Sequence, residues 1–184
     1  MGNLDGVHRE SEMNVRVVGL GAGDEDRLKA LVQLYVYDFS ESLALDVEAD
    51  GRFRTPPLDM YWSDARAHGF FVQVEEKLAG FALIQERSRL TGDETVRDVA
   101  EFFVLRRYRR HGVGEQVAAW LFDRFGGRWE VRQRVDNAAA TAFWRRVIGR
   151  YTGGRYDELQ WNDERWRGPV QRFEAVSRQS DGLA

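Results

Sequence analysis

The chain has 184 residues, enough for one domain with a sizeable core. A formal net charge of -3 leaves no bulk basic surplus to attract nucleic acid, and no apolar run approaches the length of a membrane span. Cysteine is absent, which removes disulfides, thiolate metal sites and a cysteine nucleophile, and His8, His68 and His111 are too scattered to suggest a metal site.

Residues 1–12 show no periodicity and read as a loose tail, polar and without a secretory h-region, so a cytoplasmic protein is expected. The domain is expected to occupy residues 13–177, with 178–184 as a second tail. Asn14 to Val18 alternates as a first strand. Asp24 then has the chemistry of an N-cap for a helix reaching about Phe39, with Leu28, Leu31, Val32, Tyr35 and Phe39 on one face. Pro56 and Pro57 break the pattern, and a short helix is predicted from about Leu58 to His68. Gly69 to Glu75 and Leu78 to Glu86 form a hairpin turning at Glu76-Lys77, in which Gly80 marks a bulge or a close backbone approach. Thr95 to Leu105 is a further strand, and Gly126-Gly127 ends the helix that follows it. Trp129 to Val135 is the next strand, and a helix from Asp136-Asn137 is predicted to stop at Gly149. Two strands close the chain, about Tyr156 to Trp161 and Val170 to Val176, with a turn at Gly168-Pro169. No repeat and no domain linker interrupts this order.

The most informative stretch runs from Glu101 to Glu115, where an apolar strand passes through Arg106, Arg107, Arg109 and Arg110 into Gly112-Val113-Gly114 and then a helix. The first amides of a helix lack carbonyl partners and the helix dipole is positive there, so this turn is built to receive an anion. A P-loop would need Lys-Ser or Lys-Thr after the glycines, and a dinucleotide fingerprint would need a third Gly or Ala where Val117 stands. What remains is Arg109-x-x-Gly112-x-Gly114.

That loop resembles the R/Q-x-x-G-x-G/A pyrophosphate loop of the GCN5-related N-acetyltransferase (GNAT) family. A second cassette agrees: Asn137-x-x-Ala140-x-x-Phe143-Trp144, followed by Gly149, is similar to the family's N-x-x-A-x-x-F/L-Y…G pattern and directly follows a strand. The resemblance covers about Met13 to Val176. It implies an α/β (α+β) fold with a mixed, mostly antiparallel central sheet of about seven strands, flanked by helices, in which two parallel strands splay apart. Acetyl-CoA would be the co-substrate, with no metal. Its pantetheine arm would lie along Phe102, Phe103 and Val104, and its pyrophosphate on the amides of Arg109, Arg110, His111, Gly112, Val113 and Gly114. Asn137 would bond the arm, and Trp144 would pack under it. The family often has Pro where Arg106 stands, Gly where Arg110 stands, and a tyrosine acid where Trp144 stands.

With no cysteine and no G-x-S-x-G elbow, direct attack by a bound amine on the thioester is preferred to an acyl-enzyme. Such attack needs a base, an oxyanion donor and a proton for the thiolate. The Val104 amide suits the oxyanion. Glu101 is the first candidate base, since apolar neighbours would raise its pKa, and Glu130 on the adjacent strand is the second. Each has a plainer alternative, a carboxylate paired with an arginine or solvated. An indole gives up no proton at neutral pH, so Tyr108, Tyr151 or water would protonate the thiolate, or it leaves unprotonated. The same departure leaves open a non-catalytic acyl-CoA-binding or sensor module. Tyr35, Asp38 and Trp62 are the candidate acceptor contacts, acidic and aromatic groups suited to a cationic amine. The acceptor would be a small-molecule or peptide amine of unknown identity, and a homodimer is compatible with this reading.

Overall fold

The computed structural model describes residues 13–176; both predicted tails lie outside the described residues, as does residue 177. Strand β1 spans Val15–Gly19, β2 Ala67–Val74, β3 Lys77–Gln85, β4 Val96–Val104, β5 Gly127–Arg132, β6 Asp157–Asn162 and β7 Arg167–Ala175. They form one seven-stranded sheet in the order β1-β2-β3-β4-β5-β7-β6. Every neighbouring pair is antiparallel except β4 and β5. Helix α1 spans Glu25–Leu43, α2 Met60–Ser63, α3 Val113–Phe125 and α4 Ala138–Thr152. The expected mixed sheet with its parallel pair is thus present. Among the described residues, no helix is long and apolar enough to cross a membrane.

Strand alternation divides the core into two layers. Val72, Val74, Ala82 and Ile84 join Val117, Leu121, Phe122, Trp144 and Val147 on the α3/α4 face. Phe71, Phe81, Leu83 and Phe103 join Leu28, Leu31, Val32 and Val36 on the α1 face. Each Val, Leu, Ile or Phe among them contributes about 1.5–3 kcal/mol on burial, so both faces of the sheet are held firmly.

Several local expectations are corrected. The helix predicted from Leu58 to His68 is the single turn Met60–Ser63, because Ala67 already pairs with Gln85 across the β2–β3 ladder. The hairpin turns at Glu75-Glu76, both at positive φ (48° and 63°), while Lys77 pairs with Val74; paired positive φ values match the twist of the flanking strands. Asp24 makes no side-chain bond to the helix's amides; its carboxylate accepts from the Gly21 amide at 2.9 Å and from Arg27 at 2.8 Å. Gly149 lies inside α4, which continues to Thr152 and ends on Gly153 in the left-handed region. A helical glycine costs only about 1 kcal/mol relative to alanine, and α4 runs through it. Gly168 and Pro169 lie within β7, paired with Trp161 and Gln160, and the turn falls at Asp163–Trp166 instead. Gly168 is required there because an added Cβ would sit 2.2 Å from the Gln133 carbonyl oxygen.

Candidate active site

The site begins where two strands part. β4 and β5 pair from Val96↔Arg128 to Val99↔Val131. β4 then runs on to Val104, while the chain leaving β5 turns to β7, with the Gln133 amide donating to the Pro169 carbonyl at 3.0 Å. On β4's other side the Leu105 amide donates to Ala79 at 2.8 Å. By alternation, Phe103 and Glu101 direct their backbone groups to β3, and Phe102 and Val104 direct theirs into the gap. Gly80 sits at a β3 irregularity so close to β4 that a Cβ would meet the Phe103 carbonyl oxygen at 2.0 Å.

The β3–β4 register slips between Leu83 and Ile84, from Leu83↔Glu101 to Ile84↔Val99, leaving Ala100 as the extra residue. This bulge brings Asp98 and Glu101, three residues apart, to the same α1-side face. Asp98 is fully buried, and Arg132 donates to its two oxygens at 2.9 and 2.8 Å. The Arg132 guanidinium lies under the Trp166 ring at 4.6 Å. Glu101 accepts a 2.5 Å hydrogen bond from the Tyr35 hydroxyl of α1. Burial pushes the Glu101 carboxyl above its ordinary pKa; the Tyr35 bond and the charges of Arg89 and Arg132 oppose that push. Burial, reinforced by the Glu101 charge, holds the Tyr35 phenol well above its ordinary value. Tyr61, beside them, is pushed up to about 12, mainly by burial.

Glu130 sits differently. It is fully buried, accepting from Ser88 Oγ at 2.9 Å and from Arg172 at 3.0 and 2.7 Å, so its oxygens are committed to protein partners. Of the three predicted acceptor contacts, Tyr35 adjoins Glu101. Asp38 is held by Arg106, at 2.9 and 2.8 Å, and by Arg109. Trp62 spends its indole N–H on the Gly21 carbonyl at 3.0 Å and packs into the α1-face core.

Beyond β4 a single 3-10 turn, Arg106–Tyr108, leads to the glycines. Among the described residues, the amides of Arg110, His111, Gly112, Val113, Gly114 and Glu115 donate to no protein acceptor; the first bond of the new helix is Gln116 to the Gly112 carbonyl, at 3.0 Å. Gly112 has φ 76°, with Gln116 Nε2 3.7 Å from where a Cβ would sit, and Arg110 has φ 67°. Arg110 therefore holds a backbone conformation that favours glycine, the residue the resembled family often has there. Gly114 is constrained from the other side, since an added Cβ would come within 3.1 Å of the Phe143 ring. Arg109 reaches back, its Nε donating to the Val104 carbonyl at 2.6 Å. Arg107 and Arg110 are exposed and, among the described residues, carry no ion pair.

Asn137 caps α4 through its Oδ1, which accepts from the Ala140 amide at 3.0 Å. Trp144 is buried against Phe102, Phe122 and Phe143 at ring separations of 5.0, 6.4 and 5.0 Å. Tyr151 bonds Asp123 at 2.7 Å near the far ends of α3 and α4. A cleft of about 710 Å³ near Val96, Arg128, Tyr156 and Arg172 lies at the opposite end of the parallel pair. Among the described residues no group of acidic or histidine side chains could hold a metal ion. Asp98 and its partner Arg132 lie beside Glu101 on this face, and sequence reasoning singles out neither. Only the bulge brings Asp98 beside Glu101, and nothing in the chain's spacing announces it.

The family model described as acetyltransferase (GNAT) matches residues 28–149. Solved structures agree in fold. The ribosomal-protein-S18-alanine N-acetyltransferase from Escherichia coli is 16% identical, with a TM-score of 0.54 over 93% of this chain and 99% of its own. An acetyltransferase from Thermus thermophilus is 13% identical, with a TM-score of 0.63 over 89% and 98%. Spermidine N-acetyltransferase from Vibrio cholerae, in complex with CoA and spermine, is 12% identical, with a TM-score of 0.52 over 90% and 96%. No curated protein matches the chain in sequence. The family match takes in the splayed strands, the glycine turn and α4 up to Gly149, and on that ground the chain belongs to the GNAT family of acetyltransferases.

Proposed function

We propose that the protein transfers an acetyl group from acetyl-CoA to a primary amine by direct attack within a ternary complex. One observation carries this reading: among the described residues six consecutive unpaired amides, Arg110 to Glu115, stand at the end of a strand whose Phe102 backbone groups and Val104 amide face an open gap. Such amides fit a pyrophosphate, and the gap fits an extended amide-bearing arm. Acetyl-CoA supplies the activated acyl group as a thioester.

The protein's own groups do the rest. Glu101, raised in pKa by burial, takes the proton from the incoming amine, directly or through one water. Tyr35 holds that carboxylate in place through its 2.5 Å bond. The Val104 amide faces the gap and serves a developing oxyanion. Glu130 is left a structural role, because Ser88 and Arg172 occupy its oxygens. Trp144 packs behind Phe102 and supplies no proton, and Tyr151 is engaged with Asp123, which leaves Tyr108, packed against the α3/α4-face core, or water to protonate the thiolate. Asn137 keeps its side-chain N–H₂ for the pantetheine arm while its oxygen caps α4.

The test is release of CoA thiol across a panel of amines, paired with Glu101→Gln. That variant is expected to bind CoA as the wild type does and to lose about 10²- to 10⁴-fold in turnover. A Glu101→Gln protein with wild-type turnover would exclude Glu101 as the base.

A further inference from the structure

We infer that the acceptor amine carries a carboxylate, as a free amino acid does, and that Arg89 is the cation that recognises it. The inference rests on the transferase reading above and narrows its substrate.

Three carboxylates near the splayed strands are already taken. Asp38 is gripped by Arg106 and Arg109, Asp98 by Arg132, and Glu130 by Arg172. On the α1-side face of β4 this leaves Glu101, and its task is to receive a proton, not to anchor a permanent cation. Opposite it stands a positive charge without a mate. Among the described residues Arg89 has neither an ion pair nor a hydrogen bond, and its side chain is exposed. Its chain neighbour Ser88 bonds Glu130, which stands beside Asp98 in the β4–β5 register, so the loop carries Arg89 to the same side of the sheet, where its charge bears on Glu101, Tyr35, Tyr61 and Asp98.

The loop holding Arg89 is fastened on both sides. Ser88 and Leu90 are each 2% exposed. The Ser88 amide donates to the Asp93 carbonyl at 2.9 Å, and Ser88 Oγ accepts from the amides of Leu90 and Thr91 at 3.2 and 3.1 Å while donating to Glu130 at 2.9 Å. The Leu90 carbonyl accepts from Arg165 at 2.5 Å. A backbone fastened in this way adds no loop-ordering cost to the side-chain freedom that the arginine gives up on gripping a ligand, and its planar fork matches a carboxylate. With the Asp98–Arg132 pair cancelling itself, the face offers one base and one free cation. Its complement is an amine with an anion a short distance away.

The test uses matched pairs, each amino acid against its own carboxamide, with spermidine and an alkylamine as unpaired controls. CoA release gives activity, and calorimetric titration of amino acid into the CoA-bound protein gives binding without turnover. At least one amino acid should be preferred about tenfold or more over its carboxamide. Assayed well above the acid limb of Glu101, where losing the Arg89 charge no longer changes how much of the base is ionised, Arg89→Ala should erase that preference chiefly through KM, with CoA affinity unchanged, and Arg89→Lys should restore part of it. The calorimetric signal should vanish in Arg89→Ala. Carboxamides or spermidine used as well as the carboxylates, or an Arg89→Ala protein that keeps the preference, would overturn the inference and leave the transferase reading standing. Wild-type protein that does not bind CoA would overturn both.

Discussion

Replacing Tyr35 by Phe isolates one hydrogen bond at the centre of the site. The ring is held by edge contacts to Phe39, Phe81 and Phe103 at 4.9, 5.7 and 5.8 Å, all of which a phenylalanine can keep. What disappears is the hydroxyl 2.5 Å from Glu101. Hydrogen bonds to charged groups contribute about 1.5–3 kcal/mol, and roughly 1.4 kcal/mol is a factor of ten. The sign follows from the causes acting on Glu101. Burial raises its pKa and the Tyr35 bond lowers it by favouring the ionised form, so removing the bond raises the pKa further. The ascending acid limb of kcat/KM should therefore move to higher pH. At a fixed pH on that limb, turnover should fall about tenfold or more, whereas well above it the two proteins should differ little. The assay is a pH profile of CoA release with one amine throughout, alongside CoA affinity by calorimetry, which should not change. A purely structural Tyr35 would lower activity evenly across pH or leave it intact. An unmoved acid limb would refute the hydrogen-bond argument.

Asp38→Asn should release Arg106 and Arg109 and remove a negative charge near the glycine turn, so CoA should bind several-fold tighter at low salt; calorimetry giving equal or weaker binding would contradict this. Gly112→Ala should cost about 1–2 kcal/mol of stability from its left-handed backbone, while Gly114→Val should cost about 1–3 kcal/mol by crowding Phe143, both read from urea melts. Arg132→Met should destabilise by about 3–5 kcal/mol, because it leaves the buried Asp98 without its partner; a melt within about 0.5 kcal/mol of wild type would show that Asp98 finds another.

Periodicity makes the larger elements readable. Val113, Val117 and Leu121 mark the buried face of α3, and the apolar run into Leu105 marks β4. Where one glycine is asked to fix a boundary, the reading fails, because a glycine has two meanings. Gly149 and Gly168 both read as stops in the sequence. Gly149 is simply tolerated in a helix, whereas Gly168 is needed for a close backbone approach that only the folded sheet creates. Gly114 reads as a point of phosphate access, yet the ring of Phe143, twenty-nine positions on, already leaves no comfortable room for a side chain there.

The site itself is legible where chemistry is local and hidden where it depends on register. The free amides of the glycine turn are a property of one strand–turn–helix segment, so the sequence carries them. Glu101 can be named as a candidate, but its surroundings cannot. Strict alternation along β4 sets Asp98 and Glu101 on opposite faces, and the extra residue Ala100 reverses that. Without the bulge, residues on the Asp98 side of the slip would turn over relative to Glu101. The base would then have Tyr35 beside it and lose the buried Asp98–Arg132 pair from its face. One unpaired residue in a ladder thus decides which charges surround the proton acceptor. It does so through the pairing of β3 with β4, across residues far apart in the chain, which is why no motif within β4 discloses it.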